Sequence, residues 1–367
     1  MSQIYNFSAG PSALPSSVLK KIQSELLEFR GAKASVMEIS HRGVDFMELT
    51  KKAKKNLRNI MKIPSNYEVL FLQGGASQQF SMVPINLLKN KKSANYVNTG
   101  LWSQKAILEG SRYCRVNICS DSKPNGFTDI EDFSDWNIDP DGAYLHFTPN
   151  ETIAGLEFDY VPEVDIPVVA DMSSSILSRP IDVSKFGVIY AGAQKNMGIS
   201  GLTIVIVRED LLGQAISNQP ILFDYSIQAQ NDSMFNTPCT FAWYVASLVF
   251  EWIIDFGGLE AIESHNKRKS ELLYKAIDSS DLYFNKVSNK YRSRMNVPFF
   301  LSDPTLDQLF VKKALESNLL GLKGHKTVGG IRASIYNSME FKGVEALVAF
   351  MSEFEKTCAL IIANTKE

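Results

Sequence analysis

The sequence predicts an α/β protein built on a mainly parallel sheet. Three observations carry that expectation. Short apolar runs recur between residues 67 and 210: "YEVLFLQGG" (67–75), "ANYVNTG" (94–100), "GAYLHFTPN" (142–150), "IPVVADMSSS" (166–175), "FGVIYAGAQKN" (186–196) and "LTIVIVRED" (202–210). They are apolar on both faces, as strands covered on both sides must be. Segments of helical apolar spacing lie between several of them, and that alternation is the pattern of a parallel sheet.

The elements run in order along the chain. Residues 16–30 have helical spacing, opened by Pro15 and two serines and closed by Gly31. A second helix is expected over 45–61. The strand runs then begin, with a helix starting at Ala76 or Ser77 and another over 102–109. "FAWYVASLVFEWIIDF" (241–256) is 16 residues long and interrupted by Glu251. It predicts a core helix and not a bilayer span. "DFGGLE" (255–260) is a glycine break, followed by a charged helix near 259–278, a less regular middle, "GGIRASIYN" (329–337) and a last helix over 343–363. The expected division is a large domain over 16–257 and a small α/β domain over 258–367, joined by the N-terminal segment 1–15.

Composition narrows the function. The 367 residues are 45% hydrophobic and 21% charged, enough for a large core without staples. With 38 basic against 40 acidic residues, the chain lacks the basic field that nucleic acid demands. A local positive cluster for an anionic small molecule remains open. Cys114, Cys119, Cys239 and Cys358 form no CxxC pair and no zinc spacing, so they read as thiols of a reducing compartment. The first 15 residues have neither the basic nor the apolar region of a secretory signal, and the expected location is the cytoplasm.

In sheets of this kind ligands bind beyond the carboxyl ends of the strands. "QGGASQQF" (73–80) turns through two glycines into a helix whose first N–H groups suit a phosphate, although a plain tight turn explains it equally well. Asp171 ends one apolar run. If buried it needs a partner, and that is either a cap or salt bridge, or the protonated nitrogen of a bound ring. Lys195 ends the next run, 24 residues later. A surface lysine is the plain reading; a buried one has a lowered pKa and a nucleophilic amine. A carboxylate for a ring nitrogen and a Schiff-base lysine are the two protein groups that pyridoxal phosphate requires. Trp102 in "TGLW" offers a stacking platform, and Thr152 after "FTPNE" a hydroxyl. His41 and Arg42 in "SHRG", with His325, Lys326 and Arg332 in "GHKTVGGIRAS", are either ordinary loop residues or donors to a doubly anionic substrate.

Seven motifs in order, "NFSAGPSALP", "SHRG", "PNETIAG", "VVADMSSSILSRPIDVSKFGVIYAGAQKN", "GLTIVIVRED", "SMFNTP" and "GHKTVGGIRASIYN", closely resemble the phosphoserine aminotransferase family. The resemblance spans nearly the whole chain. It implies the fold-type-I architecture of enzymes that use pyridoxal 5′-phosphate, with a seven-stranded-type sheet, and a cytoplasmic homodimer whose active sites lie at the subunit interface. It implies that Lys195 binds the cofactor covalently and Asp171 pairs with its ring nitrogen. Trp102 would stack on the ring and Thr152 hydrogen-bond to it. Ala76, Ser77 and Gln194 would hold the phosphate, joined by Asn236 and Thr237 from the second subunit. Arg332 would bind the substrate carboxylate, and His41, Arg42, His325 and Lys326 the substrate phosphate. The implied reaction moves an amino group from L-glutamate to 3-phosphohydroxypyruvate, giving O-phospho-L-serine and 2-oxoglutarate in serine biosynthesis. Some members also act on 3-hydroxy-2-oxo-4-phosphonooxybutanoate in pyridoxine biosynthesis.

The chain departs from the pattern twice. Ala76-Ser77 stands where some members have Gly-Arg, and Lys326 where arginine is common, which keeps a charge but loses the bidentate fork. Other readings are a different pyridoxal phosphate enzyme, such as a cysteine desulfurase or alanine–glyoxylate transaminase, a nucleotide-binding enzyme using "QGGAS", and a non-catalytic binding protein. No cysteine stands on an obvious mobile loop for desulfuration, and the phosphate-loop signatures of nucleotide enzymes are missing.

Overall fold

The β-leaning runs assemble into one seven-stranded sheet. The computed structural model describes residues 3–364. In chain order, β1 (Tyr5–Asn6), α1 (Ser16–Glu25) and α2 (Val44–Met61) come first. The alternation then runs β2 (Tyr67–Leu72), α3 (Gly75–Leu87), β3 (Ser93–Asn98), α4 (Leu101–Gly110), β4 (Arg115–Asp121), β5 (Leu145–Phe147), β6 (Val168–Asp171), β7 (Val188–Gly192) and β8 (Thr203–Arg208). Helices α5 (Tyr225–Gln230), α6 (Thr240–Asp255) and α7 (Gly258–Asp278) lead to β9 (Tyr283–Phe284) and β10 (Asn296–Leu301). The chain closes with α8 (Asp307–Glu316), β11 (Leu319–Leu320), β12 (Ile331–Ser334) and α9 (Phe341–Asn364).

The large sheet has the order β2-β8-β7-β6-β5-β3-β4. Its pairs from β7 to β4 are parallel, whereas β8 runs antiparallel to both β7 and β2. The sheet is therefore mainly parallel with one reversed strand. The reason lies in the connection: residues 193–202 between β7 and β8 are too few for a crossover helix, so the chain turns straight back.

The stretch expected to be irregular after α7 holds β10 and α8, and two further elements differ from expectation. Strand β4 was not expected, because it is an edge strand whose residues are mostly exposed or half-exposed, without the two-sided apolar signature. Helix α1 ends at Glu25 and not at Arg30. Phe29 instead buries against Tyr244, ring centroids 5.6 Å apart, and Arg30 takes a left-handed φ of 48° just before Gly31.

Helix α6 is the expected core helix. Ala242 to Phe250 are all buried, and its Trp243 stacks on Phe71 of β2 at 4.4 Å and meets Phe46 of α2 edge-on. Among the described residues no helix is long and apolar enough to cross a membrane. The other face of the sheet is covered by α3 and α4, with Phe80 of α3 packing in one core with Leu70, Tyr96, Val169, Tyr190 and Val205 of the strands. A separate three-stranded sheet, β12-β10-β9, has its own apolar core, in which Phe7 from the N-terminal segment joins Phe299, Phe310 and Leu347.

The register of β6 and β7 fixes where their last residues meet. Asp171 is the final residue of β6 and lies opposite Tyr190 of β7, so both strands deliver their ends to the same edge.

Candidate active site

Lys195 stands three residues beyond the end of β7 and is only 8% exposed. Its Nζ donates to Thr152 Oγ1 at 2.5 Å. The N-terminal segment covers it: Ser12 Oγ donates to the Lys195 carbonyl at 2.6 Å and Ser12 N to the Gln194 carbonyl at 3.0 Å. At Gly10, φ is 144°, and a Cβ there would lie 3.4 Å from Lys195 Cγ. Burial pushes the Lys195 ammonium down to about 8; the carboxylates of Asp171 and Glu151 oppose the shift and Arg332 adds to it. A lysine near 8 presents far more free amine at neutral pH than one near 10.5.

Asp171 is buried and its carboxyl is pushed above the usual range by that burial, with Ser173 and Lys195 pulling it back. The Ser173 N–H and Oγ–H both bond Oδ1, at 3.0 and 2.6 Å, and Oδ2 receives no hydrogen bond among the described residues. Trp102, in the first turn of α4, has its ring centroid 5.5 Å from Lys195 Nζ. Lys105, one turn further on, sits over the same ring at 4.5 Å.

Ala76 and Ser77 lie in the first turn of α3, whose N–H groups have no helical acceptor. Gly74 and Gly75 enter that turn with φ of 89° and 70°, and a Cβ on Gly74 would collide with the Gln78 side chain. Gln194 folds its amide over Gly192, where a Cβ would meet Oε1 at 2.6 Å. Arg332, on β12, is half-buried, and burial lowers its pKa. The imidazole of His325 is shifted down first by burial, then by Arg332, Lys326 and Lys105. Arg332, Lys326 and Lys105 thus act on His325 as one positive field, with Lys105 over the Trp102 ring.

Not every expected residue joins this group within one chain. His41 is half-buried and Arg42 exposed, in the turn before α2, and no hydrogen bond or ion pair links either to Lys195. Asn236 and Thr237 are exposed beyond α5; Gln73 Nε2 donates to the Thr237 carbonyl at 2.8 Å, and Asn236 lines a cavity of about 220 Å³ with Gln73 and Gln78. Sequence reasoning also missed three residues. Ser173 and Glu151 lie next to Met172-Asp171 and Thr152 in the chain, so adjacency was the available signal. For Lys105 the signal was its i+3 spacing from Trp102 on the expected helix 102–109.

The chain matches the aminotransferase class-V family over residues 4–347. It is 65% identical over 356 residues to the phosphoserine aminotransferase of Vesicomyosocius okutanii, covering 97% of this chain and 99% of that one. The chain belongs to the phosphoserine aminotransferase family. Solved structures of the family agree in fold. The phosphoserine aminotransferase of Bacillus circulans subsp. alkalophilus superposes with a TM-score of 0.95 at 42% identity, covering 97% of this chain and 99% of that one. The Trichomonas vaginalis enzyme, described as pyridoxal phosphate-bound, gives 0.93 at 42% identity over 95% and 100%. As a family member the chain is a class-V aminotransferase.

The site fits the cofactor bound by the Trichomonas protein. Trp102 Nε1 and Arg332 Nε are buried with no hydrogen-bond partner among the described residues, donors that a ligand bound beside Lys195 would satisfy. The free lone pairs of Asp171 Oδ2, the uncapped N–H groups of α3 and the amine of Lys195 would supply such a cofactor with a ring-nitrogen acceptor, an anion site and a nucleophile respectively.

Proposed function

We propose that this protein is a pyridoxal 5′-phosphate-dependent phosphoserine aminotransferase that moves an amino group between L-glutamate and 3-phosphohydroxypyruvate in serine biosynthesis. The observation that carries the reading is the buried, pKa-depressed Lys195 held by Thr152 beside Trp102 and Asp171.

The cofactor, when bound, supplies a carbonyl that takes up amino groups and an electron-poor ring that draws charge from the substrate Cα. Lys195 would hold it covalently through Nζ. Asp171 Oδ2 would keep a proton on the ring nitrogen. Trp102 would cover the ring and Thr152 fix its edge. The Ala76 and Ser77 N–H groups and Gln194, with Asn236 and Thr237 of the partner subunit, would bind the phosphate. Lys195 Nζ would take the Cα proton of the substrate and return it, a general-base task suited to a pKa near the working pH. Arg332 would orient the substrate carboxylate. His41, Arg42, His325 and Lys326 would bind the distal anion, the γ-carboxylate of glutamate or the phosphate of the other substrate. The exposure of Arg42, Asn236 and Thr237 in the single chain, with His41 half-buried beside Arg42, supports a homodimer that completes the site. The same reading keeps the enzyme in the cytoplasm. It also keeps the large domain at 16–257 and the small one at 258–367 with 1–15, supported by the packing of Phe7 into the core around β10.

The test is direct. The loaded protein should have a visible absorption band, and borohydride should fix the cofactor to Lys195. A glutamate-coupled assay should then prefer phosphohydroxypyruvate to pyruvate and glyoxylate. Equal rates on all three would sink the substrate assignment. Adding 3-hydroxy-2-oxo-4-phosphonooxybutanoate to the panel measures the pyridoxine-pathway activity.

A further inference from the structure

Glu151 is the one ionisable group around Lys195 for which the proposed chemistry gives no task. Its side chain is 0% exposed, and among the described residues it forms no ion pair. A buried carboxylate is costly unless donors surround it. Three do: Trp102 N–H reaches Oε2 at 3.2 Å, and Ser103 N–H and Oγ–H reach Oε1 at 2.9 and 2.8 Å. The Ser103 hydroxyl accepts the N–H groups of Thr99 and Gly100, both at 2.9 Å, and its one proton has the Glu151 carboxylate as its nearest acceptor, at 2.8 Å against 2.9 Å for the Gly100 carbonyl and 3.4 Å for Asn98 Oδ1. Helix α4 begins after Gly100, which has no side chain to cap it, so Glu151 supplies the anion from another segment. A Cβ at position 100 would lie 2.7 Å from Glu151 Cδ, so the glycine makes room for the carboxylate. The next residue, Thr152, bonds Lys195 Nζ. One short segment thus grips both the helix start that carries Trp102 and the lysine.

We infer that Glu151 is a positioning residue: as a carboxylate it anchors the N-terminus of α4, and with it the Trp102 indole, and it holds a fixed negative charge near Lys195. The other charged or titratable groups acting on Lys195 are Asp171 and Arg332; Asp171 also acts on Glu151, and Tyr190 faces both carboxylates. Burial, joined by the Asp171 charge, holds the Glu151 carboxyl above its ordinary value, with Ser103 and Trp102 pulling it back, and its charge raises the pKa of Lys195.

The inference rests on Lys195 carrying the cofactor, so the wild-type loaded enzyme must first show its visible band; without it the functional reading fails, not this one. Glu151→Gln and Glu151→Asp are then compared in the loaded enzyme. Whichever way the glutamine amide lies, its NH₂ faces a backbone N–H, and the charge is gone. The pH midpoint of the visible band should fall by about one unit, the low end for loss of a nearby opposite charge. Glu151→Asp keeps the charge but shortens the reach. Its midpoint should stay near wild type, while the circular dichroism of the visible band and kcat/KM both drop. A residue of merely structural weight would lower the melting temperature and leave midpoint and dichroism per bound cofactor unchanged, and that result overturns the inference. If Glu151→Gln does not fold, Glu151→Asp decides alone: wild-type dichroism and kcat/KM overturn it, a loss in both supports it.

Discussion

The ends of β6 and β7 and the basic loops are built on opposite terms. Asp171 and Lys195 are buried, follow strands at the centre of a seven-stranded sheet, and are held by Ser173, Thr152 and Ser12. The basic residues sit on a turn and a glycine loop: Arg42 and Lys326 are exposed, and among the described residues the His325 imidazole bonds only Thr327, two positions on. The contrast separates two jobs. Proton transfer needs atoms fixed to fractions of an ångström and a low-dielectric setting that moves pKa values. Recognition of an anion tolerates mobile donors, because charge acts over longer distances and the ligand itself orders the loop.

Substitutions at the two regions should therefore differ in kind. The largest effect belongs to the sheet edge. Lys195→Ala should cut kcat by about 10⁴-fold or more, the upper end for a positioned acid–base group, and leave nothing for borohydride to fix. Turnover within tenfold of wild type would break the comparison. Asp171→Asn keeps the shape and the Ser173 contacts but loses the charge; kcat should fall by about 10²- to 10⁴-fold with KM little changed.

At the boundary between the regions, Arg332→Ala should lower kcat/KM by roughly 12- to 140-fold, from about 1.5–3 kcal/mol for a hydrogen bond to a charged group. Steady-state kinetics with both substrates checks this, and glutamate and the keto acid should suffer alike because each presents a carboxylate.

A pH experiment sharpens the same contrast. Lys195 is depressed from 10.5 to about 8, so its free-amine fraction should rise about tenfold per pH unit up to pH 8 and then level. In cofactor-free protein, the rate at which pyridoxal is trapped on Lys195 by reduction should follow that curve, against the opposing charges of Asp171 and Glu151 and the reinforcing one of Arg332. A rate still climbing at pH 10 would mean the lysine is not buried as described. The smallest effect is expected at the basic residue of helix α4. Lys105 is exposed over Trp102, so Lys105→Met should raise KM for the phosphorylated substrate by up to about fivefold and leave kcat unchanged.

The sequence by itself determined six of the seven strands between residues 67 and 210, the core helix α6, and the placing of Asp171 at the end of one strand and of Lys195 just beyond the end of the next. These features are local: two-sided apolar runs, a helical period and the break at each run's end are written in adjacent residues. Edge strand β4 escaped because exposure removes the apolar signal, and the early end of α1 escaped because Phe29 turns inward to meet Tyr244, 215 positions away in the chain. Glu151 looked like one more polar residue in "PNETIAG". Only the tertiary structure decided that it caps a helix begun 50 residues earlier, that Gly10 covers Lys195, and that Lys105, His325 and Arg332 share one field. The physical reason is the same in each case. Burial and electrostatic coupling depend on distances in space, and a linear sequence carries those only after the sheet has set its order.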